Sequence, residues 1–530
     1  MNWRSATALF LFSSASLFAQ AAGGVAGISG TVRDASNSAV PNAVVVITSV
    51  NRGQIRSIVT NEAGVFSAPA LIPGPHYQVT VKAAGFAIYD VKDIDLQVGQ
   101  NLDLNVKLQV TASTTRVEVA ATAPLVDDTK SDVSHVVNSK LLQDLPINGR
   151  RVDSFVLLTP GVSNDATFGL LTFRGVAGNN SFLLDGNDNT EQFYDENAGR
   201  TRIQSQVSQD AVLEFEVLTA DMSAEYGLAM GGVVNTVTKS GSNQLHGSAF
   251  DYLRSTGMDA RDPFATFNPS EHRDQLGGTV GGPFIKDKLF YFLSVDITRR
   301  NFPMVDSYTK AGVLTSTAPY QWIGCGAPAT AAQCSAINVL LPRFFGAVPR
   351  TDDNDLYFGR TDYHLSDRNT LTASFNFLRW LSPNGIQTGL VSTSGSALNG
   401  NGDDSVRVRN GSLAWTAVPT SAFVNQFRFG WDSDRQADTF DQAELGQGVG
   451  YLQVSVAGVT LGPASYLPRV EPNENRVEFA DNAYACLKTA DAAVTSPNGT
   501  SLGRSIRRGS KKCWPGRSWS TCAISTRSRQ

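Results

Sequence analysis

The feature that most constrains this chain is a run of segments after Leu245 in which apolar and polar residues alternate. Leu289, Tyr291, Leu293, Val295 and Ile297 alternate with Ser294, Asp296 and Thr298. Leu371, Ala373, Phe375 and Phe377 share one face, and Thr372, Ser374 and Asn376 share the other. Phe423, Phe427, Phe429 and Trp431 oppose Gln426, Arg428 and Asp432. Successive side chains of a β-strand point to opposite faces, so this text predicts two-faced strands. Alternation over about 10 residues, with aromatic residues at the ends, is what a strand with lipid on one side and water on the other requires. A soluble sandwich also alternates, but its connections do not follow the rhythm seen here. Short turns at 286–288 and 366–369 alternate with long connections at 303–353, 383–404 and 435–475. Residues 244–485 are therefore expected to form an antiparallel outer-membrane β-barrel wall.

Composition agrees with a β-rich chain. Of 530 residues only 17% are charged, while 47 are Gly and 42% are hydrophobic, which suits a turn-rich β-protein better than a helical cytosolic enzyme. A net charge of -4 offers no electrostatic footprint for nucleic acid. Met1–Arg4 give a positive start, Ala6–Phe18 an apolar run and Ala19-Gln20-Ala21 a small-x-small site. That pattern predicts a signal peptide over residues 1–21, since the apolar run is shorter than the ~20 residues of a spanning helix.

Residues 22–112 alternate in shorter pieces: Ile28, Gly30 and Val32; Ala43-Val44-Val45-Val46-Ile47; then Tyr77, Val79 and Val81. Turn signals at Asn61-Glu62-Ala63-Gly64 and Pro73-Gly74-Pro75 punctuate them, predicting a small β-sandwich. Phe66, Tyr77 and Phe86 are its expected core, with Gly64 and Gly74 in turns that other residues resist. The text Gly30-Thr31-Val32-Arg33-Asp34, Pro41-Asn42-Ala43-Val44-Val45, Thr60-Asn61-Glu62-Ala63-Gly64-Val65-Phe66, Leu71-Ile72-Pro73-Gly74-Pro75-His76-Tyr77 and Ala84-Gly85-Phe86 resembles the carboxypeptidase-regulatory-like, transthyretin-like sandwich. The resemblance implies a carbohydrate-binding-like fold whose commonest role is structural.

From 113 to 243 the alternation weakens, and loops rich in Asn, Asp and Gly join short apolar pieces with one helical stretch near 139–145. Leu145-Pro146-Ile147-Asn148-Gly149-Arg150, Thr159-Pro160-Gly161-Val162, Phe173-Arg174-Gly175 and Asn180-Ser181-Phe182-Leu183-Leu184-Asp185-Gly186 follow in order. Tyr226-Gly227 then leads into Gly231-Gly232-Val233-Val234-Asn235-Thr236-Val237-Thr238-Lys239-Ser240-Gly241. Together these resemble the plug of TonB-dependent receptors of the Oar-like group. The resemblance implies an α+β plug marked by Arg174, Gly175, Asp185 and Gly186. It also implies a barrel of 22 strands, of which the text supplies only seven or eight. Between sandwich and plug, Arg116-Val117-Glu118-Val119 loosely matches a TonB box, an extended segment that pairs edge-on with an energising protein. Val117, Glu118 and Val119 serve equally well as a last sandwich strand or a linker.

Chemistry is sparse. The five histidines (His76, His135, His246, His272 and His364) are isolated and show no metal-ligand spacing. No Walker A or nucleophile-elbow motif occurs, and the glycine run 446–450 reads as loop. Asp185 through Glu196 has the length of an EF-hand loop, but its sixth position holds Thr190 where the sharp turn needs Gly. Neither a metal, a cofactor nor a catalytic residue is expected. Cys325 and Cys334 lie nine apart in a long outer connection, where an exported protein is expected to staple its loop with a disulfide.

Residues 486–530 change character, with nine Lys or Arg against one Asp and three of the five cysteines. Out-of-frame translation after Ala485 accounts for this better than a basic tail for nucleic acid or lipid headgroups. The expectation is thus a mainly β protein: an N-terminal transthyretin-like β-sandwich, an α+β plug domain and an incomplete antiparallel outer-membrane β-barrel. Its implied role is energised uptake of a substrate, carbohydrate and peptide among the candidates. Its implied partners are a TonB-type energising complex and outer-membrane lipid, with no nucleic acid. A non-transporting surface protein that binds carbohydrate or acts as an adhesin is the alternative.

Overall fold

The computed structural model describes residues 24–485 except 111–115, 121–131, 148–149, 165–169, 192–195, 198–205, 223–225, 228, 308–314, 316–320, 341–344, 386–390, 393–401, 421–422, 441–453, 457–458 and 462–472. The signal segment, the glycine run at 446–450, Asn148-Gly149 of the first plug motif and the basic tail lie outside the described residues.

The first unit has strands β1 (Ala26–Asp34), β2 (Val44–Ser49), β3 (Gln54–Val59), β4 (Val65–Leu71), β5 (Gly74–Lys82), β6 (Ile88–Leu96), β7 (Asn101–Leu108) and β8 (Arg116–Ala120). They form two sheets, β4-β1-β7 and β3-β2-β5-β6-β8. The inward set includes Ile28, Val32, Val45, Ile47, Phe66, Tyr77, Val79 and Val81, with Phe86 packed at its margin. Each fully buried aliphatic or aromatic side chain of this kind contributes about 1.5–3 kcal/mol relative to exposure. Tyr77 buries its ring and donates its hydroxyl to the Ile72 carbonyl at 2.7 Å, so its polar end is satisfied. Gly64 adopts φ +71°, and a Cβ there would meet the Val32 carbonyl at 2.4 Å, which is why this turn takes glycine.

The second unit is built on strands β9 (Val133–Val137), β10 (Ser181–Leu184), β11 (Asn187–Asp188), β12 (Val212–Ala220) and β13 (Val233–Thr238), in the order β11-β10-β13-β12-β9. Helix α1 (Ser139–Asp144) begins where the Asn138 side chain accepts from the Leu141 N–H, and it buries Leu142. Helix α2 (Asp153–Val156) brings Phe155 edge-on to Phe215, ring centroids 6.5 Å apart.

The third unit is one antiparallel sheet in which every strand pairs with the next: β14 (His246–Ser255), β15 (His272–Ile285), β16 (Leu289–Asn301), β17 (Thr351–Ser366), β18 (Asn369–Ser382), β19 (Gly402–Thr420), β20 (Phe423–Phe440) and β21 (Asn473–Ala485). Among the described residues β14 and β21 do not pair with each other, so the sheet is not a closed barrel. Its outer face exposes Leu293, Val295, Tyr357, Phe375, Leu413, Trp415 and Phe479, whereas Ser294, Asp296, Asn354, Arg360, Asn376 and Arg428 are buried on the other side. That is the pattern of an outer-membrane wall turned inside out relative to a soluble core. No helix of the described residues is long and apolar enough to cross a membrane.

All three long connections differ from the sequence expectation, the first because β17 already begins at Thr351. β20 runs to Phe440, five residues past Arg435, and β19 begins at Gly402. Ladder pairing outlasts the apolar alternation because backbone hydrogen bonding does not require lipid beside it.

Candidate functional site: the plug–wall interface

The residues from Asp185 to Thr190 form a loop that the plug presents to the wall. Asp185 and Gly186 adopt φ of 48° and 78°, and Leu184 pairs with Asn187 across them. Two successive left-handed residues make the tight hairpin turn that favours Asp-Gly. The Asp185 carboxylate accepts from the Thr238 N–H at 2.9 Å and the Thr238 hydroxyl at 2.8 Å, tying the turn to the end of β13.

Three arginines from the wall grip this loop. Arg360 of β17 donates from Nη1 to the Thr238 carbonyl at 3.2 Å and lies 3.4 Å from Asp185 Oδ1. Its other edge meets Asp362, Nε to Oδ2 at 3.1 Å and Nη2 to Oδ1 at 3.1 Å, while the Thr372 hydroxyl donates to Asp362 at 2.8 Å. Arg428 of β20 donates to the Gly186 carbonyl at 2.8 Å. Arg476 of β21 donates to the Asp188 carbonyl at 2.7 Å and the Thr190 carbonyl at 3.2 Å, and pairs with the Asp188 carboxylate at 3.3 Å. Glu478 accepts from the Asp188 N–H at 2.9 Å. Neutral contacts extend the seam: Asn410 to Asn189 at 2.7 Å, Asn376 to the Gln206 carbonyl at 3.1 Å, and Ser208 to Asp296 at 2.9 Å. A guanidinium removed from water must be paired or its desolvation cost is unrecovered, and here the plug backbone supplies much of the pairing.

The other plug motifs meet within the plug itself. Arg174 and Gly175, at φ 52° and 85°, turn the chain between short strands Leu171–Phe173 and Val176–Ala177, and the Arg174 N–H donates to the Gly161 carbonyl at 2.8 Å. Asn180 donates to the Leu171 carbonyl at 3.2 Å and accepts from the Gly232 N–H at 3.0 Å. A Cβ on Gly232 would lie 2.3 Å from the Phe173 ring. Thus the separate motifs interlock in one core.

The sandwich meets both other units. The Val98 N–H donates to the Glu214 carboxylate at 2.6 Å, and Glu216 lies so close that a Cβ on Gly99 would be 2.3 Å from its Oε1. Burial pushes the Glu214 carboxyl up to about 8, opposed by the Val98 hydrogen bond and helped by Glu216 and Asp95. At the short-turn end of the wall, Asn243 donates from its backbone to the Asn51 carbonyl at 2.8 Å and from its side chain to Asp287 at 2.7 Å.

Val117, Glu118 and Val119 lie on β8, which runs parallel to β6 with Val117 opposite Tyr89 and Val119 opposite Val91. β8 is an outer edge of its sheet. Cys325 and Cys334 are joined, with Cα atoms 5.7 Å apart, in the connection between β16 and β17, where Cys334 lies on helix α3 (Ala331–Leu340). They are not part of the plug–wall seam. Among the described residues no group of three metal-ligating side chains is gathered. Asp185 and Asp188, the first acids of the EF-hand-like stretch, are bound to Thr238, Arg360 and Arg476. The roles of Arg360 and Arg476 are not legible in the sequence. Their one signal is a lone arginine on the polar face of a two-faced strand.

Residues 237–316 and 326–489 match the outer membrane beta barrel domain family, and residues 27–109 match the carboxypeptidase regulatory-like domain. Fold and seam together define a bacterial outer-membrane β-barrel protein in which a plug is held against the wall. Over 282 residues the chain is 29% identical to the TonB-dependent transporter Oar of Myxococcus xanthus, covering 50% of this chain and 26% of that one. Over 192 residues it is 30% identical to the probable TonB-dependent siderophore receptor PirA of Acinetobacter baumannii, covering 33% of this chain and 24% of that one. The chain thus carries an outer membrane beta barrel domain and an N-terminal carboxypeptidase regulatory-like domain, and its sequence is similar to those of Oar and other TonB-dependent receptors. It spans about a quarter of the length of these curated relatives. The crystal structure of PirA is similar at 18% identity and a TM-score of 0.44, over 67% of this chain and 45% of that chain. A ferric enterobactin receptor mutant from Pseudomonas aeruginosa, solved with enterobactin, is similar at 13% identity and a TM-score of 0.46, over 68% and 48%.

Proposed function

We propose that this chain belongs to an importer that moves a solute across the outer membrane when a TonB-type complex pulls on its plug. The observation that carries the reading is the character of the seam. The plug loop at 185–190 is held by arginines and amides, beside an apolar contact where Phe292 and Phe358 of the wall join the plug core. Polar contacts can be exchanged for water as a plug shifts, whereas a packed apolar interface resists sliding. The reading assigns the sandwich to residues 22–112, the plug to 113–243 and the wall to 244–485, behind a signal peptide of 1–21.

Val117, Glu118 and Val119 are the proposed site of TonB pairing. A strand at a sheet edge can exchange one partner strand for another through its backbone alone. Transport of this kind makes and breaks no covalent bond, so it requires no catalytic residue and no cofactor. The substrate is a small solute recognised by the outer connections and the plug. Relatives named as siderophore receptors add metal chelates to the carbohydrate and peptide candidates.

The test is uptake in cells with and without TonB and a proton gradient. Accumulation that needs both, and that stops when residues 116–120 are deleted, supports the reading. Uptake that survives the deletion moves the TonB site elsewhere, and uptake indifferent to TonB removes the function.

A further inference from the structure

Arginines form a row on the outer face of the wall, just beyond its apolar belt. Arg379 of β18 lies directly opposite Arg407 of β19, and Arg407 lies directly opposite Arg435 of β20. Arg409, one step nearer the belt on the same face as Arg407, stands opposite Phe377 and Ser433, its guanidinium 6.0 Å from the Phe377 ring centre. Arg299 closes the row on β16.

The acids near this row gather at one end. Asp355 is paired with Arg299 at 2.7 Å and with Arg379 at 3.4 Å, and Asp353 stands opposite Arg299. At the other end, Arg407 and Arg435 are exposed and have no carboxylate partner among the described residues. Like charges directly opposite on neighbouring strands, with Cβ atoms about 5 Å apart, destabilise a sheet. Asp355 is shared between Arg299 and Arg379, and among the described residues no carboxylate pairs with Arg407 or Arg435, so the row has a place for an external anion.

Position identifies that anion. The short turns at 286–288 and 367–368 mark one end of the wall, where the sandwich also sits; the row lies toward the long connections at the other end. Short turns face the periplasm and long loops the exterior in outer-membrane barrels. Immediately below the row the same face carries Tyr357 and Phe375, followed toward the short turns by Leu413 and Trp415, all exposed, and these belong in hydrocarbon. The arginines therefore lie at headgroup depth in the outer leaflet. Guanidinium groups bind phosphate in a forked geometry.

We infer that Arg379, Arg407, Arg409 and Arg435 form a docking surface for the phosphate groups of a phosphorylated outer-leaflet lipid. The lipid anchors the wall at a fixed depth and neutralises the row.

The full chain, folded in detergent micelles, is titrated with bisphosphorylated lipid A and with the same lipid after phosphate removal. The phosphorylated form is expected to bind at least about tenfold more tightly, and equal binding of the two overturns the inference without any variant. The R407Q/R409Q/R435Q triple variant is expected to lose affinity on the order of a hundredfold, since each arginine near an anionic surface contributes about fivefold. The R407K/R409K/R435K variant keeps the charge and is expected to retain binding within about tenfold of the parent, losing only the forked geometry. Unchanged binding by a folded glutamine variant overturns the assignment. So does displacement of the lipid by an equal concentration of inorganic phosphate, because the surface would then be a phosphate site and not a lipid site.

Discussion

Arg360 of the wall and Asp185 of the plug face each other 3.4 Å apart, with 6% and 15% of their side chains exposed. Both are anchored from behind, Arg360 by Asp362 and Asp185 by Thr238. Charge on one unit is thus answered by charge on the other, at a distance of 175 residues along the chain.

Removing one partner strands the other. Arg360→Ala leaves Asp185 and Asp362 without their cation, and breaking a buried pair in this way costs about 3–5 kcal/mol. Plug release, followed by protease cleavage of the detergent-folded chain, is expected at lower urea in R360A than in the parent. A D185N/R360M double variant is expected to recover part of the loss, which a double-mutant cycle measures.

Gly232 has no room for a side chain. Gly232→Ala places a Cβ 2.3 Å from the Phe173 ring, and overpacking of this kind costs about 1–3 kcal/mol. Thermal unfolding of the plug is expected to move down in G232A and to recover when Phe173→Leu opens space beside it.

The Glu214 carboxyl links pH to the sandwich–plug contact. Its folded value is about 8 against an ordinary 4.5, so between those values the folded state holds a proton that the unfolded state has lost. Stability from this group is present in full below about 4.5 and falls as pH rises, by up to about 1.4 kcal/mol per unit, until it is gone above about 8. Unfolding scans between pH 5 and 9 are expected to show this decline, and Glu214→Gln is expected to flatten it. Hydrogen exchange at the Val98 amide reports the same contact locally.

The Cys325–Cys334 bridge acts within its own connection. Reduction, or Cys325→Ser, is expected to expose the 325–340 region to protease while the wall and plug melt as before. A closed loop of this size contributes on the order of 2–3 kcal/mol, and that stabilisation belongs to the loop alone. A shift in the melting of the whole wall would contradict this.

Much of the wall was legible in the sequence. Leu289 to Ile297 and Leu371 to Phe377 occupy the outer face as their alternation predicts, because the period of a strand leaves no choice once one face must meet lipid. The turn glycines were equally legible: Gly64, Gly175 and Gly186 all have positive φ. The plug sheet was not. Ser181–Leu184 is buried on both faces, as is most of Val212–Ala220, and a strand buried on both sides carries no alternation to read. The continuation of β20 to Phe440 was missed for a different reason: its buried inward residues Asp434, Gln436 and Asp438 are polar, so the pairing leaves no apolar mark.

Period, turn chemistry and motif order, all local, were enough to determine a sandwich, a plug and a two-faced wall, in that sequence along the chain. Tertiary structure decided which polar residues of the wall touch the plug. Arg360, Arg428 and Arg476 look like any other water-facing residue in their own strands, and an inward polar face is written the same way whether water or protein lies against it. Only the packing of the 185–190 loop against three strands separates these arginines from their neighbours, and that packing depends on register between segments hundreds of residues apart.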